Sequence, residues 1–417
     1  MSRVTIVAVG SRGDVAPLTG VGTALQQAGH EVTVTAYTPF EGMIINCGLR
    51  FRELPAVSQP ATDDADVSPA KGLAAFASPA GMRALGNDII TAVADDSADI
   101  LMLSPFAEMV GHPLAEAKNI PSLGVRLQPL SQTASYPPSI MGAWSAGTIG
   151  NRAAAAAGAA LIDRLYGGVV AGFRRQLELP RVPARRLRQQ RTARQWPVLH
   201  GYSPIVAPRP IDWRPGLDVT GYWWPTNTGA WEPPSDLQMF LDAGPAPVFV
   251  GFGSMMTTPA RAERLSDTIR RAAQLAGVRV IVQAGWTNLH VVGDEMLTIG
   301  DTPHDWLFPR VAAVAHHCGA GTTAAGIRAG VPTIALPTYG DGPFWAHRLA
   351  ALGVCAGSIN QRKLSPERLS QAMHTAVSDA QLGDNARQLS RRICAEDGAG
   401  QVVSRVSSLI GQSAPDH

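Results

Sequence analysis

The sequence predicts an α/β protein built from two doubly wound, Rossmann-like parallel-sheet domains that face each other across a cleft. Three observations carry that prediction. Strand, helix and strand alternate through the first 50 residues, and the alternation restarts beyond residue 235. Between them lies a stretch dense in Pro, Gly and Trp, "DVTGYWWPTNTGAWEPPSDLQMFLDAG", the composition of a boundary rather than of a core. A chain of 417 residues, 45% hydrophobic and 16% charged, has enough apolar surface for two cores and does not have the composition of a disordered chain.

Taken in order, "VTIVAVG" reads as a buried first strand, "APLTGVGTALQQAG" as an amphipathic helix closed by Gly29, and "EVTVTAY" as a second strand. This is a βαβ unit, so the sheet is parallel. "ADILMLSP", "PLAEAKN" and "PSLGVRL" repeat the theme, with the chain turning at Pro105 and Pro121. Ser58 to Ala80, rich in Ala, Pro, Ser and Asp, reads as exposed loop or short helices, and residues 141 to 197 as helical and irregular. Beyond the boundary, "APVFVGFGSM" is a strand, "AERLSDTIRRAAQLAG" a helix and "VRVIVQAG" a strand, and the chain closes in helices. The expected division is 1–217 for an N-terminal Rossmann-like domain, 218–235 for a linker, 236–390 for a C-terminal Rossmann-like domain, and 391–417 for a helical tail packing back toward the N-terminal domain.

A formal net charge of +2 gives no global field for nucleic acid. The four cysteines, Cys47, Cys318, Cys355 and Cys394, form no CxxC pair, which argues against a disulfide framework and a zinc site and fits the reduced cytosol. The N-terminus lacks the pattern of a signal peptide. "IMGAWSAGTIGNRAAAAAGAALI" is mostly Gly and Ala and is interrupted by Asn151 and Arg152, so no transmembrane segment is expected. Six arginines between Arg181 and Arg194 read as a solvated surface, with anionic lipid or nucleic acid as the competing partners.

The chemistry concentrates in "HHCGAGTTAAGIRAGVPTIALP". "RVAAVAHH" supplies a strand and "TTAAGIRAG" a helix, so Cys318 to Gly321 form the turn between them. Gly319 and Gly321 admit close backbone approach, Thr322 or Thr323 can cap the helix, and the first helical amides are unpaired and partly positive. That is an anion seat, to which His317 and the Thr322 hydroxyl add donors suited to a diphosphate. A Gly-rich βα turn with histidines that merely end the strand would look similar. Three features favour the ligand: "GFGSM", where Gly253 and Ser254 form a second phosphate-sized turn; "DTPHDWLFPR"; and "LPTYGDGPFWA", which sets Asp341 at the end of the next strand.

Through these blocks, together with "GSRGDVAPLTGVGTALQQAGHEVTV", "VTGYWW" and "HDWLFPRVAAVAHHCGAGTTAAGIRAGVP" through "GDGPFWAHRLAALGV", the chain resembles the nucleotide-sugar-dependent glycosyltransferases of family 1, of GT-B fold, and in particular their bacterial natural-product and sterol-type branch. The resemblance implies inverting transfer of a sugar from a UDP- or dTDP-linked donor to a hydroxyl of a lipophilic acceptor such as a polyketide, macrolide, glycopeptide, sterol or glycolipid. It implies that Ser254, His317, Gly319, Ala320, Gly321 and Thr322 hold the diphosphate, that Trp286 and the backbone at His304 meet the base, and that Asp341 and Gly342 meet the sugar. Many members carry Gln where Gly342 stands, so a deoxy or otherwise atypical donor sugar is expected, and a Gln restored at 342 should shift preference toward glucose. Cys318 stands where bacterial relatives most often have Gly, and reads as harmless.

Inverting transfer needs a base on one face of the sugar and stabilisation of the departing diphosphate on the other. Many members place a histidine after the first strand; this chain has Asp14 there, which is the candidate base, with a helix N-cap as its structural alternative. Arg12 and Trp144 are candidate acceptor-pocket residues. Asp64 and Asp66 form an Asp-x-Asp without a preceding strand and read as solvated loop, so no essential metal or other cofactor is expected beyond the nucleotide-sugar co-substrate. The partners are accordingly small molecules, with peripheral membrane contact if the acceptor is a lipid. The competing functions are a nucleotide-sugar 2-epimerase on the same scaffold, a catalytically inactive binding protein, and a nicotinamide-dependent oxidoreductase. The last lacks its fingerprint, because "GSRGDV" has Gly10 and Gly13 but no third glycine.

Overall fold

Runs of Val, Ile and Leu, apolar on both faces, make the central strands of both halves of the chain and select parallel sheets covered by helices. The computed structural model describes residues 1–55, 75–226, 231–253, 255 and 257–413. The N-terminal sheet contains β1 (Arg3–Val7), β2 (Glu31–Tyr37), β3 (Arg50–Leu54), β4 (Ile100–Leu103), β5 (Ser122–Arg126), β6 (Val198–His200) and β7 (Leu217–Val219). Their order is β3-β2-β1-β4-β5-β6-β7. The C-terminal sheet contains β8 (Val248–Gly251), β9 (Val280–Gln283), β10 (Met296–Ile299), β11 (Ala313–His316), β12 (Thr333–Ala335) and β13 (Cys355–Ser358), in the order β10-β9-β8-β11-β12-β13. Every pairing between these strands is parallel, as in Val4 with both Val32 and Ile100, or Val248 with both Val280 and Ala313.

Strand order reverses at β1 in the first sheet and at β8 in the second, and such switch points open crevices at the carboxyl ends of strands. The loops that follow β1, β4 and β5 therefore share one edge, and those that follow β8, β11 and β12 share the other. The helices of the first half are α1 (Arg12–Gln27), α2 (Glu41–Asn46), α3 (Pro79–Val93), α4 (Glu108–Lys118), α5 (Gly147–Gln176) and α6 (Ala184–Ala193). Those of the second are α7 (Ser235–Asp242), α8 (Pro259–Ala276), α9 (His304–Leu307), α10 (Ala320–Ala329), α11 (Gly342–Ala351), α12 (Pro366–Ser378), α13 (Ala380–Cys394) and α14 (Gly398–Ser413).

Val4, Ile6, Val34, Ile100 and Met102 pack beneath α1, and Val7, Leu101 and Leu103 pack on the other face against α3 and α4. Val402 and Val406 of α14 belong to the first of these clusters, so the end of the chain lies on α1, in the N-terminal half. The "YWW" segment is packing: Trp223 is buried and its indole N–H donates to Thr220 Oγ1 at 3.0 Å. Gly20 is required beneath that segment, because a Cβ there would sit 1.8 Å from the Trp224 carbonyl oxygen.

Two elements differ from the sequence reading. The first helix begins at Arg12 behind an Ser11 N-cap, and Pro17 lies inside it, where the reading had started the helix at Ala16. The region read as irregular contains one continuous 30-residue helix, α5. Asn151 does not break it, because its amide works as a local clamp: Nδ2 donates to the Ala134 carbonyl at 2.9 Å, and Oδ1 accepts from the Ala146 N–H at 3.0 Å.

Candidate active site

The turn read from the sequence as an anion seat is the connection from β11 to α10. Cys318 adopts φ +63°, a left-handed conformation that favours glycine and that accounts for the glycine common at this position in the resembled family. The Cys318 N–H donates to His316 Nδ1 at 3.0 Å and fixes the turn. The helix N-cap is Gly319, not Thr322 or Thr323, which lie within the first turn. The amides of Ala320, Gly321 and Thr322 therefore begin α10, where no intrahelical acceptor reaches them and the helix dipole is positive.

The two glycines of this turn do different work from each other. A Cβ on Gly319 would lie 2.5 Å from His317 Nε2, so Gly319 makes room for the imidazole; a Cβ on Gly321 would lie 3.5 Å from Gly13 Cα, so Gly321 is where the two halves meet. The His317 ring is held between Gly319 and Gly253, whose own φ is +57°. Burial pushes the His317 imidazole down to about 4, leaving it neutral at pH 7. Its Nδ1, with His316 Nε2 and Thr323 Oγ1, is buried without a hydrogen-bond partner among the described residues. Buried polar atoms are seldom left unpaired, and orphans at a helix N-terminus are what a bound anion would satisfy.

Asp14 faces this seat from the other sheet. It stands third in α1 and closes a capping box: its Oδ2 accepts from the Ser11 N–H at 2.8 Å and from Ser11 Oγ at 2.9 Å. Asp14 is therefore part of a cap without being the N-cap residue. Burial raises its carboxyl above the ordinary 3.8, and the Ser11 bonds oppose that shift. Asp341 is the N-cap position of α11 and accepts from Trp345 Nε1 at 2.8 Å. Its carboxyl is also raised, chiefly by burial, with the Asp14 charge adding to it.

Between the two stands a residue that sequence reasoning missed. The Gln128 amide, just beyond β5, lies near enough to both Asp14 and Asp341 to favour the charged form of each, against the larger effect of burial. No motif surrounds it; only the topology, which sets the ends of β1 and β5 on one edge, could have flagged it. Asp301 was missed as well. The Arg12 guanidinium pairs with it across the cleft, so Arg12 ties the two halves together.

The remaining expected residues distribute as follows. Trp286 is 53% exposed on a turn after β9, and so presents its ring at the edge of the second sheet. His304 opens α9 stacked on Phe308, with ring centroids 4.3 Å apart, and burial lowers its imidazole to about 4. Trp144 is exposed and its indole N–H donates within its own loop to the Met141 carbonyl at 2.9 Å. Ser254, Asp64 and Asp66 lie outside the described residues. Among the described residues no three His, Cys, Asp or Glu side chains converge as a metal site.

Comparison with known proteins follows this geometry. A family described as "Erythromycin biosynthesis protein CIII-like, C-terminal domain" matches residues 271–409. A sterol 3-beta-glucosyltransferase of Emericella nidulans is 30% identical over 432 residues, covering 97% of this chain and 30% of its own. A sterol 3-beta-glucosyltransferase of Arabidopsis thaliana is 31% identical over 433 residues, covering 96% of this chain and 64% of its own. The chain thus spans about a third of the length of the fungal relative and under two thirds of the plant one. The crystal structure of the glycosyltransferase VinC in complex with dTDP superimposes with a TM-score of 0.68 at 17% identity, covering 98% of this chain and 100% of that one.

At Gly342 the geometry corrects an expectation. A Cβ there would lie 2.7 Å from the His317 carbonyl oxygen, so a glutamine cannot enter without moving the β11–α10 turn, and the expected swing toward glucose does not follow. Gly342→Ala is expected to lower stability by about 1–3 kcal/mol, as overpacking of a tight site does. Denaturant unfolding monitored by tryptophan fluorescence measures it, and an unchanged midpoint would contradict the packing described here.

Proposed function

This chain belongs to the family 1 glycosyltransferases of GT-B fold, and we propose that it transfers a sugar from a UDP- or dTDP-linked donor to a hydroxyl of a lipophilic small-molecule acceptor, with inversion. One observation carries the reading: two half-buried carboxylates from opposite sheets face the unpaired amides that open α10, beside the orphan Nδ1 of His317.

In this reading the donor diphosphate lies against the amides of Ala320, Gly321 and Thr322. His317 is neutral, so it donates one N–H to a phosphate oxygen without adding charge. Trp286 offers a ring beside the base, and Asp341 accepts from sugar hydroxyls. With position 342 closed to a side chain, Gln128 is the amide nearest the sugar-binding carboxylate in this reading. Asp14 takes the proton of the acceptor hydroxyl as its oxygen attacks the anomeric carbon, and the bond from that carbon to the diphosphate breaks on the opposite face. Negative charge then grows on the leaving diphosphate, where the helix dipole and preset N–H groups meet it without reorganisation.

A carboxyl raised by burial is the form of Asp that makes a stronger base, provided the working pH exceeds its pKa. The acceptor class we propose spans polyketides, macrolides, glycopeptides, sterols and glycolipids; deoxysugars remain in the proposed donor range, and the four free thiols support a reducing, cytosolic setting. The epimerase, oxidoreductase and inactive-binder alternatives gain no support from the comparisons.

Asp14→Asn keeps an oxygen for Ser11, so its melting temperature is expected to stay within a few degrees of the parent while kcat falls roughly 10²-fold or more. The parent's kcat/KM should fall as pH drops through the raised Asp14 pKa, with its acid limb above 3.8. A turnover close to the parent's in Asp14→Asn, read by mass spectrometry on a donor and acceptor panel, would remove the base from the mechanism. Transfer is further expected to survive excess EDTA, and activity restored only by an added divalent cation would refute a diphosphate held by protein groups alone.

A further inference from the structure

Helix α5 is unevenly solvated. Its buried side carries Ala155, Val169 and Phe173, and Phe173 is wedged against Gly86 so closely that a Cβ on Gly86 would lie 2.0 Å from the ring. Arg174, also buried, pairs with Glu116 at 2.6 Å. The other side is open: Ile149 is 84% exposed and Leu161 55%, with Leu165 in the same state and alanines between them. By length and composition the helix could cross a membrane, yet only 11% of its most apolar window is buried. A helix with one side locked into a domain core does not span a bilayer; it lies along one.

Charge gives this face its partner. Between Gly147 and Gln195 the chain has ten arginines and two acidic residues, whereas the whole chain carries a net charge of only +2. Helix α6 runs beside the open stripe: Arg188 reaches Asp163 at 2.7 Å, and Ala184 neighbours Gly167. Arg164, Arg175, Arg185 and Arg186 are exposed and form no ion pair among the described residues. The stripe continues at its N-terminal end into exposed Ile140, Met141 and Trp144. The Trp144 N–H is already satisfied within its loop, and that leaves a ring suited to the acyl boundary.

We infer that the exposed apolar stripe of α5, with the Ile140–Trp144 loop and the arginines of α5 and α6, docks this protein on the surface of an anionic lipid bilayer. Apolar side chains enter the boundary between headgroups and acyl chains while guanidinium groups meet lipid phosphates. The surface leads to the cleft: Tyr136 packs on Phe344 of α11, with ring centroids 5.1 Å apart, and α11 begins at the carboxylate of Asp341. Docking there would set the cleft beside the bilayer. The inference does not depend on sugar transfer, because vesicle binding is read without donor or acceptor, and either reading can fail alone.

The test is co-sedimentation of the full chain with vesicles of pure phosphatidylcholine, or of phosphatidylcholine with about a third phosphatidylglycerol, at low salt and at about 0.5 M NaCl. Binding is expected only with the anionic vesicles and only at low salt. Arg185→Ser with Arg186→Ser is expected to weaken it about 30-fold, and Leu161→Glu with Leu165→Glu to abolish it. All four positions are exposed, so the melting curves of both variants should match the parent. Three outcomes would overturn the inference: no sedimentation with anionic vesicles at low salt, binding unchanged in both variants, or a stripe occupied instead by a second copy or by nucleic acid. The last would be seen as a dimer in gel filtration that Leu161→Glu dissociates, or as a gel shift of duplex DNA that persists near physiological salt.

Discussion

A carboxylate from one sheet and a carboxylate from the other come within electrostatic reach of each other and of Gln128, and the two halves of the chain meet around them. Asp14 and Asp341 are both raised by burial, and the Asp14 charge raises Asp341 further. Two acids so close would repel each other if nothing stood between or behind them. Ser11 holds Asp14, Trp345 holds Asp341, and Gln128 reaches both. Around this contact Arg12 pairs with Asp301 and Gly13 meets Gly321, so the two halves are closed on one another. In the proposed reaction this closure excludes water from the anomeric carbon and sets base and leaving group on opposite faces.

The same closure explains the composition of the edges. Gly319 leaves room for an imidazole and Gly342 for a carbonyl, while at Gly321 the opposite loop comes within ordinary contact distance. A sequence reader sees three glycines near a helix and assigns them all to a ligand. Only the packed molecule distinguishes a glycine that admits a phosphate from one that admits a protein atom.

Much of the architecture was legible from periodicity. The strand at "VTIVAVG", the strand at "RVAAVAHH" and the helix after it could be read because buried parallel strands are short continuous apolar runs and helices between them repeat every three to four residues. The β11–α10 turn was legible for the same reason, since a strand followed by glycines and a helix puts amides at a sheet edge. What escaped was everything that requires two distant segments: Gln128, alone in "LQPL"; Asp301, beyond the other sheet; and the single long helix α5, whose Asn151 reads as a break until its clamp on Ala134 and Ala146 is seen. The exposure of α5 was likewise invisible, because alanine-rich helices look alike in sequence whether they face a core or a surface. The arginine run could be read, and its partner could not.

The central claim is that a nucleotide diphosphate rests on the amides of Ala320, Gly321 and Thr322. A crystal structure of the protein soaked with UDP or dTDP tests it most directly. The account predicts diphosphate density within hydrogen-bonding distance of those three amides and of His317 Nδ1, with the base beside Trp286. Well-ordered nucleotide bound elsewhere, with these donors still unpaired, would contradict it.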